Sequence, residues 1–94
     1  MPREKKDHTI LLLRRALGIA LVSLRKRRGL LQQDLARHVQ TTRGHLSRME
    51  RGGGDPSLSM IWRISVALHI SPGVLMRETM RSFRQLQLKN KNIG

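Results

Sequence analysis

The chain has no cysteine and no tyrosine, one tryptophan, one phenylalanine, and only six acidic residues among 94. Without cysteine there is no disulfide framework, no thiol nucleophile and no cysteine-rich zinc site, a composition that fits a reducing compartment. Two aromatics, Trp62 and Phe83, are too few for the stacking platforms on which single-strand readers hold RNA bases. Six acids and four histidines form no nucleophile–base or paired-carboxylate constellation, so an enzyme is the least favoured class. His38 and His69 have no partner at metal-ligand spacing and are expected at the surface or its boundary, with no metal and no cofactor. Long apolar runs are missing too. The richest one is broken by Arg14 and Arg15 before it reaches the roughly 18 uncharged residues of a membrane span, and no small-residue cleavage site follows it. A cytoplasmic protein is the expectation, with a membrane-surface role for the basic N-terminus as a weaker alternative.

Basic charge is what the chain has in excess. Nineteen Lys and Arg give a formal charge of +13, a field that favours a polyanionic partner, nucleic acid first and an anionic membrane second. The length suits one domain with a small core. The pattern is all-helical, with five helices, no strand signal and no internal repeat. Residues 9–28 lack proline and are rich in Leu, Ala and Arg, with Gly18 the one weak helix former and Gly29 the stop. "QQDLARHV" places Leu35, Ala36 and Val39 on one face of a short second helix. In "TTRGHLSRMERG" Thr42 can cap a third helix over 42–51, Gly52 can end it, and Leu46 and Met49 face inward. Ser57 or Asp55 can start a fourth, "LSMIWRISVALHI", whose Leu58, Ile61, Trp62, Ile64, Ser65 and Leu68 are expected to form a wide buried stripe. "SPGVLM" opens a fifth that runs to about Leu88. Residues 1–8 are expected as a basic tail, 9–88 as the domain, and 89–94 as a disordered tail.

The ordered set in "RGLLQQDLARHVQTTRGHLSRMERGGGDPSL" resembles the lambda-repressor-like helix-turn-helix family, which includes Cro and the xenobiotic-response-element type of bacterial regulator. Gln32 opens helix two, Leu35-Ala36 stands in its middle, Leu46 and Met49 in helix three, Glu50 and Gly52 at its end, and Pro56-Ser57-Leu58 before helix four. The resemblance spans about Leu17 to Met76, with the motif at 32–51. It implies a bacterial, nucleoid-associated DNA-binding transcriptional regulator whose third helix lies in the major groove of double-stranded DNA. Arg43, Gly44 and Arg48 then fall at base-reading positions, and Arg has the fork that fits guanine. His45 stands beside them, assigned either to bases or to phosphate. Gln32, Thr41, Thr42, Arg51 and Arg28 are the expected phosphate contacts, which position without specifying. Arg25 and Glu50 match the family's structural ion pair between helices one and three.

Three positions depart from the family pattern. Gln40 stands where Gly is usual, at a cost of about 1 kcal/mol if it turns left-handed. Thr41 stands where an apolar residue is common, and Leu31 where a capping Ser or Thr is expected. A continuous helix through 40–42 would defeat the assignment. The bland reading of Arg43, Arg48 and Arg51 is a solvated helix face, less favoured because of their shared sign and position. For Lys26, Arg27 and Arg28, diffuse attraction to phosphate and no role are equally open.

Helix one is apolar nearly all round, which predicts burial nearly all round. With Leu17, Leu21 and Leu24 inward, Leu11, Leu12, Ile19 and Val22 are left for a two-fold partner, and Met76, Met80, Phe83 and Leu86 form a second candidate dimer surface. A homodimer would set two reading helices about one DNA turn apart over a palindromic operator. Lacking an effector domain, such a protein reads as a repressor. The competing reading is an antitoxin or interaction module, whose extra helices would bind a partner protein.

Overall fold

The computed structural model describes the backbone of residues 3–93 and the side chains of residues 7–90. Five helices follow in order: α1 (Arg3–Arg27), α2 (Gln32–His38), α3 (Arg43–Glu50), α4 (Leu58–Ala67) and α5 (Pro72–Ile93), with no strand among the described residues. The long dimension of the molecule, 39 Å, is that of α1 itself, since 25 residues at about 1.5 Å each span about 37 Å. The core sits at the C-terminal half of α1. There Leu17, Leu21 and Leu24 meet Leu35, Ala36 and Val39 of the α2 region, Leu46 and Met49 of α3, Ile64 and Leu68 of the α4 region, and Leu75 of α5.

The first four helices end on one device. In each, the second residue past the cap donates to the carbonyl five residues back: Leu30 to Arg25, Thr41 to Ala36, Gly53 to Arg48 and Ile70 to Ser65, at 2.9–3.1 Å. That is the Schellman arrangement, which needs a left-handed residue between. Gly29 and Gly52 supply it without strain, whereas Gln40 and His69 adopt φ 58 as side-chain-bearing residues. Gln40 therefore takes the conformation the family's glycine would take, and residues 40–42 stay out of helix. Leu31, unable to cap, is compensated from the other direction: the Asp34 carboxylate accepts from the Leu31 N–H at 3.2 Å.

Both outer helices are longer than the sequence suggests. The expected tails are helical over residues 3–8 and 89–93, while residues 1, 2 and 94 lie outside the described residues. Nothing after Pro2 breaks the helix, and α5 runs back along α1, bringing Asn90 Nδ2 to 3.3 Å from His8 Nε2. This pairing corrects the expectation that a partner must cover helix one. Leu12, assigned to a dimer surface, is buried within the subunit together with Ala16 and Ala20. Val22, Phe83 and Leu86 are half-buried, and only Leu11, Ile19, Met76 and Met80 of the proposed interface remain exposed. Periodicity showed that helix one was apolar around most of its circumference; α5 covers much of it.

The fourth helix departs in the other direction. Ile64, Ser65 and Leu68 are buried, but Leu58 is 84% and Trp62 59% exposed. At about 100° per residue, Leu58, Trp62 and Val66 lie on one flank of the buried set, progressively farther from it, and the subunit leaves each of them more than half exposed. Trp62 is thus a surface residue, contrary to the buried stripe. The polar groups that are buried find partners: Ser65 Oγ donates to Ile61 O at 2.8 Å and Thr79 Oγ1 to Leu75 O at 2.9 Å.

Candidate nucleic-acid interface

The start of α3 is set by Thr42, which is extended (φ −90, ψ 154) and whose hydroxyl accepts from the His45 N–H at 3.0 Å. That bond satisfies one of the helix's free donors. The extended backbone just before it turns α3 away from α2 and frees its first turn. Leu46 and Met49 are buried, which directs Arg43, Gly44, His45, Arg48 and Arg51 outward; all five are exposed. No neighbour lies within 4 Å of where a Gly44 Cβ would stand, so this position leaves a gap that a base edge or phosphate can approach. Five outward positions with three arginines and no acid give a cationic face that runs the length of α3, from Arg43 at its first residue to Arg48 in its last turn and Arg51 at its C-cap.

Several of these side chains are held in place. Thr41 Oγ1 and His45 Nδ1 are 2.7 Å apart, with the donor set by the imidazole tautomer. Arg51 Nη1 donates to Ser47 Oγ at 2.6 Å, which folds its guanidinium back over the middle of α3. Arg43 has no partner among the described residues. It is exposed to solvent.

Two expected phosphate contacts serve other bonds. Arg28 donates through Nε to Leu68 O at 2.9 Å and through Nη2 to His69 O at 3.4 Å. It closes the C-terminal end of α4, where carbonyls lack helical partners and a cation is favoured. Gln32 Nε2 donates to Glu50 Oε1 at 2.7 Å, so its amide nitrogen belongs to the internal network.

That network fixes the other end of α3. Arg25 donates to Glu50 through Nε at 2.7 Å and Nη2 at 3.1 Å, and its Nη1 reaches Leu30 O at 2.7 Å. The pair is nearly dry, with side-chain exposures of 10% and 4%, and its bidentate geometry is the strong form of carboxylate recognition. The same residues were expected to be structural from the sequence, but their companion was missed. Gly18 lies where α1 touches α3: a Cβ there would overlap the Glu50 carbonyl and stand 2.8 Å from that of Met49. The signal was present as the lone glycine inside a strong helix. Farther up α1, Arg14 donates to both Asp55 oxygens, at 2.8 and 2.6 Å, and ties down the loop before α4. The hydrogen bond from Arg14 holds the Asp55 carboxyl below the ordinary aspartate range.

No group of three His, Cys, Asp or Glu among the described residues could hold a metal ion. His38 and His69 are exposed and border an open cleft with Arg28, Leu30, Trp62 and Arg63. No single helix among the described residues is long and apolar enough to cross a membrane.

A capped, core-anchored short helix with exposed arginines, set against a second helix across a left-handed turn, is the helix-turn-helix arrangement found in DNA-binding proteins. The helix-turn-helix profile matches residues 21–75, more than half of the chain. The chain belongs to this lambda-repressor-like helix-turn-helix family, whose members are DNA-binding regulators. Among solved structures it is similar to the clp gene regulator ClgR from Corynebacterium glutamicum, with 32% identity over 86% of this chain and 85% of that one and a TM-score of 0.78. It is also similar to the restriction-modification controller protein C.AhdI from Aeromonas hydrophila, with 33% identity over 70% of this chain and 94% of that one and a TM-score of 0.63. No curated protein sequence matches it.

Proposed function

We propose that this regulator binds a palindromic operator as a homodimer and acts as a repressor, with α3 of each subunit in the major groove. The observation that carries the reading is the free first turn of α3. There Arg43 faces outward beside the gap at Gly44, and Arg48, in the last turn, is exposed as well, side chains suited to base edges. Arg43 reads a guanine edge, Arg48 a second base, and His45, already oriented by Thr41, lies at the groove wall. Thr41, Thr42 and Arg51 meet phosphates. Gln32 and Arg28 act from behind, as supports for α3 and α4.

Dimerisation is assigned to α4. Leu58, Trp62 and Val66 are all more than half exposed and follow one another at i, i+4 and i+8 with no charge on the stripe. Leu11 and Ile19 of α1 are less suited, because Arg15 and Lys26 share their outward face. Met76 and Met80 stay exposed on α5, and Met76 borders the apolar hollow that Ile61 and Pro56 also line. Repression follows from occupancy alone: a bound dimer excludes other proteins from its site.

Two measurements test this reading. Binding to a selected operator, titrated over a range of salt, should give a log–log slope of about −5 to −9, as for six to ten phosphates neutralised per dimer. Sedimentation at micromolar concentration should give a dimer, and Trp62→Glu should give a monomer. A wild-type monomer with shallow salt dependence would favour the alternative in which the α4 face binds a different protein.

A further inference from the structure

Three consecutive glycines follow α3, and they are glycine for different reasons. Gly52 and Gly54 have φ of +86 and +80, a conformation that side chains rarely adopt. Gly53 has no such backbone. A Cβ at Gly53 would instead stand 2.7 Å from Arg48 Cγ, 3.1 Å from its Nε and 3.2 Å from its carbonyl oxygen. The first of these is far inside the roughly 3.5–4.0 Å at which carbon atoms rest against each other. The stem of Arg48 therefore lies folded across bare backbone at the end of α3. Arg48 is exposed and has no side-chain hydrogen-bond or ion partner among the described residues, so this contact is what limits its direction.

We infer that Gly53 is a positioning residue for DNA readout: by lacking a side chain it lets Arg48 lie across the turn, in the one direction from which its guanidinium reaches a base. The inference rests on the reading that α3 enters the major groove. A long arginine on a free helix face samples many rotamers, and each must be given up on binding. Packing the stem against Gly53 removes much of that freedom beforehand. Alanine at 53 would force the stem off this surface. It would move the guanidinium by a side-chain rotation while leaving charge, fold and the other arginines unchanged.

The experiment compares Gly53→Ala, Arg48→Ala, the double variant and Arg43→Ala, each by selection of bound sequences from a random duplex pool and by titration of selected and unselected duplexes. Gly53→Ala should relax base preference at the same position per half-site as Arg48→Ala. It should lower affinity for the selected site about tenfold, the scale of one good base contact, with binding to unselected duplex within about twofold of wild type. The double variant should be no worse than Arg48→Ala alone, because the two side-chain atoms a Cβ would meet are then gone and only the looser 3.2 Å approach to the residue-48 carbonyl oxygen stays. Its melting temperature should match that of Arg48→Ala, which keeps the comparison valid if Gly53→Ala alone is less stable. Equal weakening on selected and unselected DNA, or losses that add in the double variant, would overturn the inference. If neither Arg43→Ala nor Arg48→Ala alters the selected sequence, the groove reading itself fails. If Arg43→Ala alters it and Gly53→Ala does not, only the role of Gly53 fails.

Discussion

The two ends of α3 are built in opposite ways. At the C-terminal end Glu50 is nearly dry, held by Arg25 and Gln32, and its carbonyl presses on Gly18 of α1. At the N-terminal end Arg43, Gly44 and His45 are exposed, and the polar contacts that hold the turn are local ones, the Thr42 cap, the Thr41–His45 pair and the bond from the Thr41 N–H to Ala36 O. The contrast teaches how a domain with a small core holds a short exposed helix: it is clamped at one end so that the other can be free and still be aimed. Eight residues make a helix too short to be stable alone. Its direction must come from the clamp.

The largest effect should come from opening that clamp. Glu50→Ala leaves the buried Arg25 guanidinium without its carboxylate and should cost about 3–5 kcal/mol in denaturant unfolding. Gly18→Ala attacks the same end through shape and should cost about 1–3 kcal/mol, the usual range for overpacking. If either is neutral, α3 is not held where the comparison says it is. At the free end, Thr42→Ala removes one cap and should cost about 1 kcal/mol, so its unfolding midpoint should shift less than that of either clamp variant. The smallest effect lies outside α3. A carboxyl held below its ordinary value stabilises the fold above its unfolded pKa and loses that contribution as pH falls through its folded pKa. Asp55→Asn should therefore melt slightly below wild type near about pH 7, and the two melts should converge well below the ordinary aspartate value of about 3.9.

Much of the free end was legible in the sequence, and much of the support was not. Thr42, Leu46 and Met49 declare their roles through capping chemistry and helical spacing, and the left-handed turn at Gln40 could be placed although the residue is not glycine. The apolar circumference of α1 was equally plain, but periodicity tells which face needs a neighbour and not which neighbour comes. Hence Leu12 went to a partner when α5 covers it, and Trp62 went to the core when it stands outside. Arg28 and Gln32 are the same lesson in polar form. Their donors suit phosphate or carbonyl equally, and only the fold brings the carbonyls of Leu68 and His69, and the carboxylate of Glu50, within reach. Gly18 was visible as an anomaly whose cause lay 32 residues away in the chain.

The most direct test of the account is selection of bound sequences from a random duplex pool, done with the wild-type chain and with Arg43→Ala. The account predicts an inverted repeat with half-sites about one helical turn apart, which in the variant loses preference at one position per half-site while the melting temperature is unchanged. Retention of binding without any enriched sequence, or an enriched motif identical in both proteins, would contradict the assignment of α3 as the reading helix.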